Sequence, residues 1–196
     1  MDREPGSAFV QPTAVQPLLV LVSGAPGSGK TTLARQLAPS LGLPRLPKDE
    51  LQHVLMDALS PGNAEAVRQL GAAAFMQMYF VAERLLDAGV GALLEANFLR
   101  GVSGSHLARL AGRARTVIVH CHAPSAETIH RFKERLERGE RHPLSRDLDA
   151  LPRLVAWLEE GRYEPPEIGA PVVRVDTSDG YDPALDAVTA FIRQSA

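Results

Sequence analysis

The segment Gly24–Thr31, GAPGSGKT, contains residue types that bind the phosphates of a nucleotide. It satisfies G-x-x-x-x-G-K-[ST], the P-loop pattern, between an apolar run and a helix-like segment. Glycines let successive backbone N–H groups turn toward phosphate oxygens. Lys30 adds positive charge near the terminal phosphates, the Thr31 hydroxyl suits Mg²⁺, and Thr32 offers another hydrogen bond. We predict that ATP, or another nucleoside triphosphate, binds with Mg²⁺ at Gly24, Ala25, Pro26, Gly27, Ser28, Gly29, Lys30, Thr31 and Thr32.

Asp49 is the acid best placed to turn nucleotide binding into phosphoryl transfer. A kinase needs a carboxylate beside the γ-phosphate to accept the proton of the attacking hydroxyl. Asp49 follows the second predicted strand and therefore lies on the same rim as the glycine loop. The alternative is that Asp49 is only the N-cap of the following helix. The two interpretations are compatible, because a cap residue at this rim still faces the cleft.

Glu95 and Asn97 lie at the end of the third predicted strand, in LLEANF. An aspartate closing a strand usually accompanies a P-loop, but no apolar run here ends in one. Glu95 is the nearest acid, and its role remains open between holding a metal-bound water, contacting substrate and pairing with an arginine. Asn97 is predicted to bond either substrate or a neighbouring loop.

Three arginines lie on one face of a predicted charged helix. Arg131, Arg135 and Arg138 follow i, i+4, i+7 spacing, separate from an apolar stripe. One interpretation is an exposed helix supported by glutamate–arginine pairs. The other is a lid, at about residues 127–150, that brings arginines to the transferring phosphoryl group and excludes water. The predicted catalytic residues are Lys30, Asp49, Arg131, Arg135 and Arg138.

The elements that position these residues alternate between strand and helix. Strands are predicted within residues 17–24, 44–47, 91–98, 116–123 and 170–180. Pro39 is expected to end the first helix, and Asp182–Pro183 to cap and begin the last. This alternation predicts an α/β protein with a parallel sheet, helices on both faces and ligands beyond the carboxyl ends of the strands.

Composition limits the alternatives. The 196 residues are enough for one domain with a small lid, and a net charge of −2 gives no global attraction to nucleic acid or anionic membranes. The single cysteine, Cys121, has no intrachain disulfide partner, and no apolar run is long enough to span a membrane. We expect a cytoplasmic protein with a flexible tail at residues 1–16 and one domain at 17–196.

In these motifs the chain resembles the P-loop kinase-like proteins, a group of AAA-type ATPases and predicted kinases. That group is similar to polynucleotide kinases, zeta toxins, gluconate kinases and chloramphenicol phosphotransferases. The resemblance implies a three-layer P-loop NTPase fold with a five-stranded sheet in the order 2-3-1-4-5 and a helical lid. It also supports Asp49 as the base and implies nucleotide contacts from Asp176, Asp179 and Tyr181.

One departure affects the choice of acceptor. Polynucleotide kinases usually have an arginine three residues after the aspartate, and this chain has Gln52. We therefore expect a small-molecule hydroxyl acceptor, such as a sugar, nucleoside or antibiotic, bound by Asp49, Gln52, Glu95 and Asn97. The alternatives are a 5′-hydroxyl polynucleotide kinase, with Arg45 in place of the missing arginine, and a nucleotide-dependent ATPase or switch.

Overall fold

Strands and helices alternate along the chain, as predicted. The computed structural model describes residues 16–139 and 150–195. Within them the elements are β1 (Leu18–Ser23), α1 (Lys30–Leu41), β2 (Arg45–Pro47), α2 (Lys48–Leu59), α3 (Ala64–Asp87), β3 (Ala92–Glu95), α4 (Gly104–Ala111), β4 (Arg115–His122), α5 (Ser125–Glu137), α6 (Ala150–Glu159), β5 (Val172–Asp176) and α7 (Leu185–Ser195). The predicted tail falls almost wholly outside the described residues, as does lid segment 140–149.

The five strands form one parallel sheet in the order β2-β3-β1-β4-β5, which confirms the predicted topology. Val22 pairs with Glu95, and Glu95 pairs with Pro47, so β1, β3 and β2 end at the same edge. His122 pairs with Asp176 at the ends of β4 and β5. The glycine loop follows β1 directly and so begins at this edge.

The sheet is buried on both faces, which explains the continuous apolar runs of its central strands. Leu19 and Leu21 of β1 pack with α3 and α4, whereas Val20 and Val22 pack with α1 and α7. A third, smaller cluster joins α5 and α6 to Ala25 in the glycine loop. The edge that carries the loop is therefore supported from both faces and by α5 and α6.

Three predicted helix boundaries are wrong. Pro39 lies inside the last turn of α1, which continues to Leu41 and ends at Gly42 in the left-handed conformation. The first residue of α2 is Lys48, and its cap is Pro47, so Asp49 is a first-turn residue. Helix α7 begins at Leu185, because the backbone of Asp182 instead forms an antiparallel bridge with Asp176.

None of the helices in the described residues has both the length and the apolar character of a membrane span. The one cysteine, Cys121, is buried in β4.

Candidate active site

The glycine loop passes too close to neighbouring backbone for side chains at two positions. A Cβ atom on Gly24 would lie 2.3 Å from the carbonyl oxygen of Cys121, and one on Gly27 would lie 2.5 Å from that of Thr128. Both glycines also have positive φ, 145° and 90°. The loop is therefore fixed between β4 and the first turn of α5.

Lys30 is the first residue of α1, and its side chain folds back along the loop. It is 5% exposed, and Nζ lies 3.4 Å from the carbonyl oxygen of Ala25, to which it donates. Burial lowers the pKa of Lys30, and the carboxylates of Asp49 and Glu95 partly oppose this. The helix N-terminus and this ammonium together form a site for an anion.

Glu95 joins the loop to β2. The Thr31 hydroxyl donates to Glu95 Oε1, and Arg45 Nη1 donates to Glu95 Oε2 at 2.7 Å. Arg45 also contacts Glu50 at 2.5 Å, and these bonds raise the pKa of Arg45 although desolvation, the largest single influence, acts the other way. Of the roles left open for Glu95, pairing with an arginine is present in the structure.

This arrangement fits Mg²⁺. Because the Thr31 proton is directed to Glu95, the oxygen lone pairs remain available to a cation. The described residues contain no cluster of three or more His, Cys, Asp or Glu side chains that would hold a metal alone. Mg²⁺ usually takes one or two protein ligands together with substrate phosphates and water, so Thr31 is a suitable ligand.

A cleft of about 520 Å³ lies between α2, α3 and the end of β3. It is lined by all four residues predicted to bind the acceptor, Asp49, Gln52, Glu95 and Asn97. The side chain of Asp49 is 65% exposed, and its Oδ1 lies 3.2 Å from Lys48 Nζ. Gln52 donates to the carbonyl oxygen of Val67 at 3.2 Å, whereas Asn97 Oδ1 is buried with no hydrogen-bond partner.

A second cleft, of about 730 Å³, lies between the loop, α5 and the segment after β5. Its lining includes these predicted residues: Gly27, Gly29, Lys30, Thr31, Thr32, Arg131, Arg135, Arg138 and Tyr181. The clefts meet at four side chains that line both of them: Lys30, Thr31, Arg35 and Arg135. Pro26 lines only the first cleft.

Five residues predicted to bind nucleotide line neither cleft: Gly24, Ala25, Ser28, Asp176 and Asp179. Ala25 and Ser28 line a separate cavity beside His120 and His122. Hydrogen bonds from the Ser178 side chain and from its backbone N–H, the latter 2.8 Å long, lower the pKa of the Asp176 carboxyl group.

Arg131 differs from the other two arginines of its face. Its Nη2 donates to the carbonyl oxygens of Thr177 and Ser178, both at 3.0 Å, and its Nε donates to Glu127 at 2.7 Å. Thr177 Oγ1 in turn lies 3.0 Å from the carbonyl oxygen of Ser28. Arg131 therefore ties α5 to the segment after β5, which itself contacts the glycine loop.

Sequence reasoning missed several lining residues. Arg35 borders both clefts, Thr177 the second, and Lys48 and Arg153 the first. Lys48 and Thr177 are direct sequence neighbours of the predicted residues Asp49 and Asp176, and Arg35 lies one helical turn after Thr31. Arg153 comes from a distant segment and has no motif of its own.

Comparisons with known proteins identify the family and the fold. A family model described as AAA domain matches residues 19–160. A presumed kinase from Chloroflexus aurantiacus J-10-fl is 29% identical, with a TM-score of 0.82 over 92% of this chain and 99% of that one. The fold is therefore that of P-loop NTPase kinases.

Two further solved structures share the fold at lower identity. Kti12 from Chaetomium thermophilum, in complex with ADP-AlF3, is 22% identical with a TM-score of 0.63, over 90% of this chain and 98% of that one. A gluconokinase from Sinorhizobium meliloti 1021 is 20% identical with a TM-score of 0.56, over 92% and 94% respectively. A search of curated proteins finds no match.

Proposed function

This chain belongs to the AAA domain family, and we propose that it is an ATP- and Mg²⁺-dependent kinase that phosphorylates a hydroxyl group of a small molecule. One observation carries the proposal. The first cleft, which contains Asp49, meets the second cleft, beside the glycine loop and α5, at Lys30, Thr31, Arg35 and Arg135. A donor in one and an acceptor in the other would place the γ-phosphate at these shared side chains.

Three of the shared residues have distinct parts in the proposed reaction. The loop N–H groups and Lys30 would hold the β- and γ-phosphates, and Arg135 would stabilise the charge that develops on the transferring group. Thr31 would hold Mg²⁺, which would neutralise phosphate charge. Asp49 would orient the acceptor hydroxyl and accept its proton.

The outer arginines and the segment after β5 have supporting parts. Arg131 would hold the lid helix against that segment, and Arg138 would add positive charge at the mouth of the nucleotide cleft. Tyr181, whose hydroxyl accepts from Gln36 at 3.1 Å, would form part of the nucleotide wall. Asp176 and Asp179 would act on this segment's conformation.

The polynucleotide alternative is less favoured. Arg45, which would have to replace the missing arginine, is 17% exposed and already bonded to Glu50 and Glu95. Gln52 is bonded to Lys48 and Val67 within the protein. A pure ATPase or switch does not need a second cleft with a carboxylate at the phosphate end of the first.

The test is Asp49→Asn, with Asp57→Asn on the same helix as the matched control. Asp57 is exposed and does not line the cleft. Labelled ATP is incubated with pooled hydroxyl compounds and oligonucleotides, and phosphorylated products are identified by mass spectrometry.

We expect Asp49→Asn to abolish product while ATP affinity changes by less than about threefold, and Asp57→Asn to behave as wild type. Transfer by Asp49→Asn at the wild-type rate would remove Asp49 from the mechanism. Steady ATP hydrolysis with no phosphorylated acceptor would favour the switch instead.

A further inference from the structure

Lys48 presents a mostly buried cation to the acceptor cleft. It is the first residue of α2, it lines the cleft, and its side chain is only 14% exposed. Nζ lies 5.3 Å from the centroid of the Phe75 ring and donates to Gln52 Oε1 and to Asp49 Oδ1. A lysine this enclosed beside the proposed base is not an ordinary solvated surface charge.

The position of this ammonium is fixed by two helices. Gln52 accepts from Lys48 and donates to the carbonyl oxygen of Val67 on α3. Behind Gln52 lies Gly71, where a Cβ atom would come within 3.3 Å of Gln52 Nε2. Lys48 is therefore held before any ligand arrives, so less conformational entropy is lost when one binds.

Positive charge predominates in the lining of this cleft. Its described cationic residues are Lys30, Arg35, Lys48, Arg68, Arg135 and Arg153, and its acids are Asp49, Glu50 and Glu95. Arg45, which does not line the cleft, bonds both Glu50 and Glu95. Asp49 is left facing two ammonium groups, since it contacts Lys48 and interacts electrostatically with Lys30.

We propose that the acceptor is a small hydroxy acid whose carboxylate or phosphate group binds Lys48 while its hydroxyl bonds Asp49; this rests on the proposed kinase function. An ammonium has three N–H donors, and its contacts with Asp49 and Gln52 account for two. Because Nζ and Oδ1 are 3.2 Å apart, an anionic group and a hydroxyl on the same small molecule could contact both at once.

The transfer step balances without another reactant. The hydroxyl oxygen forms a bond to the γ-phosphorus, the bond from that phosphorus to the β,γ-bridging oxygen breaks, and ADP leaves with the bond's electrons. The hydroxyl proton passes to Asp49. Lys48 binds the acid group throughout and acts as a specificity residue.

The experiment compares acceptors that differ in charge. Wild-type protein and ATP are incubated with three pairs of acceptors, each an acid and its neutral partner: glycerate and glycerol, gluconate and glucitol, and glycerol 3-phosphate and glycerol. The kcat and KM are measured for each acceptor. The variants are Lys48→Met, which keeps an apolar stem against Phe75, and Lys48→Arg, which keeps the charge. Lys133→Met is the control, because Lys133 is exposed on α5 and lines neither cleft.

We expect the acid of at least one pair to be preferred by about 10- to 100-fold in kcat/KM, the range expected for one charge-assisted hydrogen bond. Lys48→Met should remove that preference mainly by raising KM, Lys48→Arg should restore part of it, and Lys133→Met should leave it unchanged. A preference for glycerate or gluconate over the neutral partner would identify a carboxylate as the bound group, and a preference for glycerol 3-phosphate would identify a phosphate.

Three results would overturn the proposal. Equal or better use of the neutral partners by wild-type protein would refute an acidic acceptor while leaving the kinase function intact, whether or not Lys48→Met folds. Transfer to 5′-hydroxyl oligonucleotides and to none of the small acids would identify a nucleic-acid acceptor. No transfer to any hydroxyl compound would refute the kinase function and this inference together.

Discussion

Arg45→Met should destabilise the protein strongly, because it leaves a buried carboxylate without its partner. Glu95 is 6% exposed and receives hydrogen bonds from Arg45 and Thr31. Removing one partner of a buried ion pair costs about 3–5 kcal/mol. Arg45 is itself 17% exposed, so we expect the lower end, about 3 kcal/mol, and a fall in Tm of about 6–12 °C for a chain of this size.

Glu95→Gln, which changes the other partner of this ion pair, should lower the free energy of unfolding by less than Arg45→Met does. Glu95→Gln leaves Arg45 bonded to Glu50 at 2.5 Å, so the remaining charge keeps a partner and we expect a loss of about 1–2 kcal/mol. In the double variant no unpaired buried charge remains. Its loss of unfolding free energy should therefore be smaller than the sum of the losses of the two single variants, by at least about 1 kcal/mol.

The assay is urea unfolding followed by circular dichroism, with equal m-values as the check that all variants unfold from similarly compact states. Arg193→Gln is the control, since Arg193 has an exposed backbone contact with Ser40 and should change stability by less than about 0.5 kcal/mol. A cost below 1 kcal/mol for Arg45→Met, or strict additivity in the double variant, would refute the assignment of this pair as a buried support for the loop.

Three further predictions concern the loop and the adjoining end of β4. Gly27→Ala should reduce nucleotide affinity at least about tenfold in equilibrium titration, because its Cβ would meet the backbone of Thr128 at 2.5 Å; unchanged affinity would contradict this. Burial lowers the pKa of His120 to about 4, so the unfolded chain binds the proton first and stability should fall by up to about 3 kcal/mol as pH drops from 6.5 to 4. His120→Gln should flatten that part of the pH profile of unfolding. Burial raises the pKa of Cys121 to about 12, so iodoacetamide at pH 8 should label the folded protein at least about 100-fold more slowly than the unfolded one, as measured by mass spectrometry.

The sheet order and the loop were predictable because their signals are local or carried by a known motif. The apolar runs of β1 and β4 identify strands buried on both faces, and the glycines of the loop are required by close backbone contacts. Asn63 caps α3, its side chain accepting from the backbone of Ala66. The strands, the cap and the loop depend on neighbours within a few residues or on one fixed spacing, and the sheet order was implied by the family resemblance.

The partners that charged side chains find in distant segments were not predictable, since they depend on which segments the fold brings together. Arg45 and Glu95 are 50 residues apart and meet because β2 and β3 are paired neighbours. The start of α2 was misplaced for a similar reason. Pro47 is still paired with Glu95 in the sheet, so the helix begins directly at Lys48, and Asp49 needs no capping role.

The arginine face of α5 demonstrates the limit of periodicity most clearly. Spacing predicts that Arg131, Arg135 and Arg138 share one helix face, and all three line the second cleft, but spacing does not give their distances from other segments. Burial of Phe132 against the cluster that contains Ala25 fixes the helix close to the loop. Arg131 then lies nearest the segment after β5 and bonds its carbonyl oxygens, whereas Arg138, two turns further along, is 61% exposed. Arg135, between them, is the one of the three that lines both clefts, so the position along the helix, more than the face, determines which arginine would contact the transferring phosphoryl group in the proposed reaction.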